Sequence, residues 1–264
     1  MLWLMLFSVG ITSGIFAGLL GVGGGLIFLP LAKLYYIDHL GYPPEFLRVL
    51  IATSTAIIVS NGLSATIVHY RKHNIDMSML PWFVAACLLG SRLGVLMVDK
   101  LPIPILRCIL AGFLIILAVR IFRGRDSKSE DQPLNQKKRM QIGGIGVGIS
   151  TLSSMLGLGG GALMTPVLNI FYKQPIKRAI GTASLFTFTV ASTACIYYLL
   201  EPTLPSVNHS LMVGHVDLQI AALVSGGGIL GSWAGARLLH HSPVETIQKI
   251  FAVLLFLGAL KMML

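Results

Sequence analysis

Two glycine clusters carry most of the chemistry this sequence offers. Gly21-Val22-Gly23-Gly24-Gly25 and Gly157-Leu158-Gly159-Gly160-Gly161 each end one apolar stretch and precede a short one, Leu26–Tyr36 and Ala162–Phe171. Glycine lets a backbone unwind and approach a ligand closely. A helical run resuming behind it places a helix N-terminus there, whose free N–H groups and partial positive charge bind anions. Two such ends, built from Gly23, Gly24 and Gly25 and from Gly159, Gly160 and Gly161, would converge on an oxyanion without a fixed lysine, so release stays possible.

Hydroxyls follow. Thr53, Ser54 and Thr55, with Thr182 and Ser184, stand where the next long apolar runs begin. There they complete an anion's hydrogen-bond shell, cap a helix, or bond back to a carbonyl one turn earlier. Ser60 and Asn61 lie two turns further along, and Thr187 and Thr189 occupy similar depths in the second run. Charges inside apolar runs are few, and each is a functional hypothesis. Lys33 sits in the first short run and corresponds to Asn169, while Arg92 lies within Met79–Val98 and corresponds to Trp233. Either cation would attract or balance an anion; the alternatives are snorkelling, or for Arg92 a pair with Asp99. Asp76 and Asp217 read as helix N-caps. No carboxylate lies in the middle of an apolar run, so the side chains offer no proton relay. Cys87, Cys108 and Cys195 occur singly in apolar stretches, and no spacing suggests a metal, a cofactor or a catalytic group. An enzyme acting on a lipid or quinone would need clustered His, Asp or Glu within the bilayer, which this sequence lacks.

The elements that position these residues are membrane helices. The 264 residues are 55% hydrophobic and only 11% charged, with a mean hydropathy of +0.80, whereas soluble domains are about 25% charged. The net charge of +10 does not point to nucleic acid, because the basic residues gather at the ends of apolar runs, as orientation signals do. No basic region precedes the first run, Trp3–Leu20, which reads as retained rather than as a cleaved signal. A crossing takes about 20 residues. Val49–Val68, Met79–Val98, Ile103–Phe122, Ala179–Leu200, Leu218–Leu239 and Val244–Met263 qualify. The two short runs pair with Trp3–Leu20 and Ile142–Leu156 as bent or re-entrant hairpins. The polar linker Arg123–Arg139 is basic and therefore cytoplasmic, together with the loops His69–His73, Lys173–Arg178 and Arg237–His241. Glu201–His215 has no Lys or Arg and falls outside, and both termini then face outward.

The halves repeat. The glycine clusters and the pair Pro30 and Pro166 share one offset along the chain. Ala52-Thr53-Ser54 matches Gly181-Thr182-Ala183 at a shorter offset, because the first half has a longer loop around Asp38–Pro44. Asn74-Ile75-Asp76 matches His215-Val216-Asp217 at a slightly longer one. Gly90-Ser91 and Gly94 match Gly231-Ser232 and Gly235 at that last offset; these GxxxG pairs read as close helix packing. The expected fold is an all-α polytopic membrane protein with repeats at 1–122 and 140–264, joined by the linker 123–139. Each repeat is a glycine-rich broken or re-entrant hairpin followed by three transmembrane helices. With an odd number of crossings per half the repeats are inverted, which is the architecture of secondary transporters working by alternating access.

In their order, GLLGVGGG…P, ATST, HYRKHNID and GSRLG, then MLGLGGG…P, IGTAS, HVD and GSWAG, these motifs resemble the sulfite exporter TauE/SafE family over nearly the whole chain. The resemblance implies carriage of sulfite or a small organosulfonate such as sulfoacetate across a bacterial inner membrane, outward and linked to the proton gradient. Its partners would be a small anionic substrate, the lipid bilayer, protons and, as an open alternative, a second copy in a homodimer, with no nucleic acid. Arg92 and Lys33 depart from the apolar or small residues expected at their places. An anion channel, or a carrier for another small organic anion, is the alternative.

Overall fold

The computed structural model describes residues 2–21, 23–122, 134–202, 211–238, 252–253 and 255–260. The described elements are almost all helical. In the first half they run α1 (Leu2–Leu20), α2 (Gly25–Ala32), α3 (Phe46–Arg71), α4 (Leu80–Lys100) and α5 (Ile103–Phe122). In the second half they run α6 (Gln136–Leu156), α7 (Gly161–Pro166), α8 (Ile176–Leu200) and α9 (Leu218–Leu238). Among the described residues α3, Met77–Lys100, α8 and α9 are long and apolar enough to cross a membrane. The expected last crossing, Val244–Met263, lies largely outside the described residues, as does most of the expected linker.

Boundaries differ from expectation where charge conceals a helix. α6 begins within the linker, at Gln136 rather than Ile142, because Asn135 accepts the Lys138 N–H at 2.9 Å and caps it. A two-stranded hairpin, β1 (Met212–Val213) and β2 (Val216–Asp217), stands where a loop was expected. The short runs are composite. α2 widens into a π-helix at Lys33–His39, and α7 into one at Val167–Phe171. Pro30 and Pro166, each lacking an N–H donor, lie just before the widening.

The packing pairs each hairpin with a long helix from the other half. Small residues allow this. On α1, Gly10, Gly14 and Gly18 meet the α9 backbone at Val224, Gly228 and Ser232 in turn, so the two helices run side by side in the same direction. On α4, Gly90 and Gly94 meet the α6 backbone at Val147 and Thr151 in the same way. The GxxxG pairs therefore pack helices, as read from the sequence. α3 and α8 run antiparallel through the centre, with Gly62 against Phe188 and Thr66 Oγ1 3.5 Å from Ser184 Oγ. Lys72, Lys177 and Arg237, from three basic connectors, gather on one face. Burial, then the charges of Arg237 and Lys177, hold the Lys72 ammonium below its ordinary pKa. Large apolar residues such as Leu89 and Ile116 cover the outside.

Candidate functional site

The two hairpins bring their glycine tips into contact at the centre. Gly25 lies against the carbonyl oxygen of Gly157, and Gly161 lies against that of Gly21. Both tips also pack on the same two side chains. A methyl group on Gly23 would sit 2.8 Å from Ile58 Cγ2 and from Thr187 Cγ2; on Gly159 it would sit 2.9 Å from Thr187 Cγ2 and 3.0 Å from Ile58 Cγ2. The turns require glycine, since φ is +88° at Gly23, +84° at Gly24, +77° at Gly159 and +82° at Gly160. Each short helix starts one residue earlier than expected, at Gly25 and Gly161. Hydrogen bonding in α2 begins with Ile27 and Phe28, which donate to Gly24 O at 3.1 and 3.2 Å. In α7, Leu163 and Met164 donate to Gly160 O at 3.1 and 3.0 Å. The N–H groups of Gly25, Leu26, Gly161 and Ala162 therefore precede the first bond of each helix, and neither N-cap supplies a side-chain acceptor.

Of the expected hydroxyls, Ser54 and Thr187 brace this crossing, and the others bond elsewhere. Ser54 Oγ stands 2.6 Å from Gly157 O and 2.9 Å from Ile51 O, while Thr187 Oγ1 donates to Gly21 O at 2.9 Å. Thr53 Oγ1 accepts the Asp217 N–H at 3.0 Å, and Thr182 Oγ1 accepts the Asp76 N–H at 3.1 Å. Thr55 Oγ1 and Ser184 Oγ bond back to Ala52 O (2.6 Å) and Gly181 O (2.7 Å). None of the five sequence candidates begins a helix: α3 and α8 start about two turns earlier than Thr53 and Thr182, at Phe46 and Ile176. The capping role falls to Asp76 and Asp217, as expected. Asp76 Oδ1 accepts from the Ser78 N–H at 3.1 Å, and Asp217 Oδ1 from the Ile220 N–H at 2.9 Å.

Each tip carries a buried polar side chain that no described residue satisfies. Asn61, 0% exposed near the middle of α3, has neither Nδ2 nor Oδ1 bonded. A methyl on Gly24 would lie 3.1 Å from its Nδ2, while Gly228 of α9 faces its Oδ1. Ser153 Oγ, on α6, is likewise buried and unbonded, 3.0 Å from where a methyl on Gly160 would stand. Leaving such a group unsatisfied costs about 1–3 kcal/mol, which an apolar residue would avoid. The sequence reading included Asn61 and missed Ser153, whose only signal was its place one turn before the second cluster.

The two cations are engaged elsewhere. Lys33, 1% exposed, pairs with Asp38 Oδ2 at 3.0 Å. At the offset of the glycine clusters, Lys33 and Asp38 correspond to Asn169 and Gln174. There Asn169 Nδ2 donates to Gln174 O at 2.9 Å. In the second half a neutral side chain thus makes the connection, to the main chain of Gln174 rather than to its side chain. Arg92, 44% exposed, pairs with Glu201 rather than Asp99 and lies 5.5 Å from the Tyr197 ring centroid. Asp99 instead faces His215 Nδ1 at 3.7 Å, and its backbone oxygen accepts from Arg48 at 3.3 Å. His69, read as a boundary marker, is fully buried, with Nε2 3.3 Å from Gly18 O.

Comparison with known proteins adds to this geometry. Residues 6–262 match the family described as Sulfite exporter TauE/SafE. The chain is 26% identical to a "probable membrane transporter protein" of Haemophilus influenzae, covering 99% of this chain and 98% of that one. It is 23% identical to the "probable membrane transporter protein YunE" of Bacillus subtilis, covering 97% and 96%, and 27% identical to a transporter of the same description from Xylella fastidiosa, covering 94% and 89%. No solved structure gives a significant match.

Proposed function

The chain belongs to the sulfite exporter TauE/SafE family of membrane transporters, and on that premise we propose that it is a secondary carrier of a small oxyanion, sulfite or an organosulfonate such as sulfoacetate. The single observation that supports this best is the reciprocal contact of the tips, Gly25 on Gly157 O and Gly161 on Gly21 O. It sets the starts of two half-helices, each with unspent N–H donors, beside one another in the middle of the protein. The anion is held by the backbone of Gly24–Leu26 and Gly160–Ala162, with Asn61 and Ser153 completing its shell. Thr53, Ser54, Thr182 and Thr187 tie the tips and helix ends together across the two halves, and Lys33 and Arg92 hold their own ion pairs.

In this reading the halves are inverted repeats in a bacterial inner membrane, with the basic linker in the cytoplasm and both termini outside. Exchange of their tilts opens the site to either face in turn. With Ile58 and Thr187 filling the space beside both tips, an anion enters only when the hairpins part, which favours a carrier over an open channel. Export is linked to the electrochemical proton gradient, whose inside-negative potential drives an anion outward. Purified protein in liposomes tests the proposal: a carrier shows saturable sulfite counterflow driven by trans sulfite. An electrical current far above the rate of a conformational cycle would mark a channel instead.

A further inference from the structure

We infer that the substrate is taken up as a singly charged oxyanion still carrying an O–H, so that the proton crosses the membrane on the substrate. This rests on the anion-carrier reading above and, within it, selects sulfite over a sulfonate such as sulfoacetate, because an ionised sulfonate carries no O–H. The argument starts from the Asn61 amide, fully buried and unbonded at both atoms. Its Nδ2 lies beside Gly24, the N-cap of the eight-residue helix α2, where the Gly25 and Leu26 N–H groups come before the first helical hydrogen bond. Those donors converge on deprotonated oxygens. Oδ1 faces Gly228 on α9. A carboxamide oxygen only accepts, so a ligand without an O–H leaves it bare or sets like partial charges against it. An oxyanion with one remaining O–H satisfies both ends of the amide.

The surroundings supply no proton in its place. Between Gly10 and Gly18 on α1, and between Val224 and Ser232 on α9, there is no titratable side chain. From α8, Phe188 packs on Gly62. The nearest titratable group further along α3 is His69, just over two turns on, set 3.3 Å from Gly18 O. No carboxylate lies in the middle of an apolar run. At the offset that pairs Thr53 with Thr182, Asn61 corresponds to Val190, so the second repeat has no amide at the matching position and one proton goes with each anion.

Calorimetry on the purified full-length protein tests this with two probes, sulfite and methanesulfonate, the latter having no O–H to give. Affinity for total sulfite should be constant below the second ionisation of sulfite and fall about tenfold per pH unit above it. Methanesulfonate should bind at least about tenfold more weakly, with no pH dependence. Asn61→Leu should bring sulfite down to the methanesulfonate level. Sulfite binding that persists above its ionisation, or methanesulfonate binding equal to sulfite, overturns this inference and leaves the anion-carrier reading standing. Failure of both probes to bind at any pH overturns the two together. The wild-type profile decides the matter even where Asn61→Leu does not fold.

Discussion

Ser54 Oγ lies 2.6 Å from the carbonyl oxygen of Gly157, tying a long helix of the first half to the glycine tip of the second. Thr187 makes the converse tie to Gly21 O at 2.9 Å. The two anchors are not sequence equivalents: at the offset that pairs Thr53 with Thr182, Ser54 corresponds to Ala183 and Thr187 to Ile58. Each bond satisfies a buried carbonyl freed by a turn that glycine opens. Ser54→Ala and Thr187→Val should therefore each cost about 1–3 kcal/mol of stability. Thermal unfolding in detergent reads this directly. The double variant should fall short of the sum, because the two anchors meet at one crossing.

The positive φ angles at the tips make a second expectation. Gly23→Val or Gly159→Val puts a β-branched side chain at φ +88° or +77°, where non-glycine residues lose about 1–2 kcal/mol, and drives it against Ile58 and Thr187. Sulfite affinity should drop by at least about tenfold in variants that still elute as folded protein. Calorimetry on the monodisperse fraction checks it.

Thr53 and Thr182 hold Asp217 and Asp76, at the starts of helices that follow opposite connectors. Removing one bond should loosen one side of the protein only. Thr53→Val should raise labelling by a membrane-impermeant thiol reagent at cysteines introduced near β2, and Thr182→Val should raise it near Met77. Each shift is about 1 kcal/mol, roughly a fivefold change in the open population. Identical responses of the two reporters would contradict opposed openings.

The ion pairs predict silence in binding. Arg92→Leu should leave sulfite affinity within about twofold and cost no more than about 1 kcal/mol, as for a half-exposed pair. Replacing Lys33 and Asp38 together, Lys33→Asn with Asp38→Gln, copies the residue types found at Asn169 and Gln174 and should also retain affinity, whereas Lys33→Asn alone should lower the melting temperature. Calorimetry and thermal unfolding separate the two effects.

Much of the membrane architecture was legible in the sequence because lipid imposes simple demands. Apolar runs set the helices, and Gly23-Gly24-Gly25 and Gly159-Gly160-Gly161 announced turns only glycine can make. The helix starts at Phe46 and Ile176 were read late, since Arg48, Lys177 and Arg178 interrupt the hydropathy of their first turns. Ile58 was invisible, because an isoleucine in an apolar run carries no sign that two glycine turns rest on it. Ser153 looked like one more small residue in a helix. Lys33 and Arg92 stood out as charges. Asp38 stands five residues after Lys33, in a stretch read as loop that forms the same π-helix, whereas Glu201 lies in a distant segment whose proximity to Arg92 only the fold reveals.

The most direct test of the central claim is the location of a bound anion. Crystals grown with selenite, the heavier analogue of sulfite, and measured at the selenium edge should show one anomalous peak at the crossing, within hydrogen-bond distance of the Gly25 and Leu26 N–H groups and of Asn61. A peak instead beside Arg92 or Lys33, with the glycine tips still closed on each other, would contradict the account.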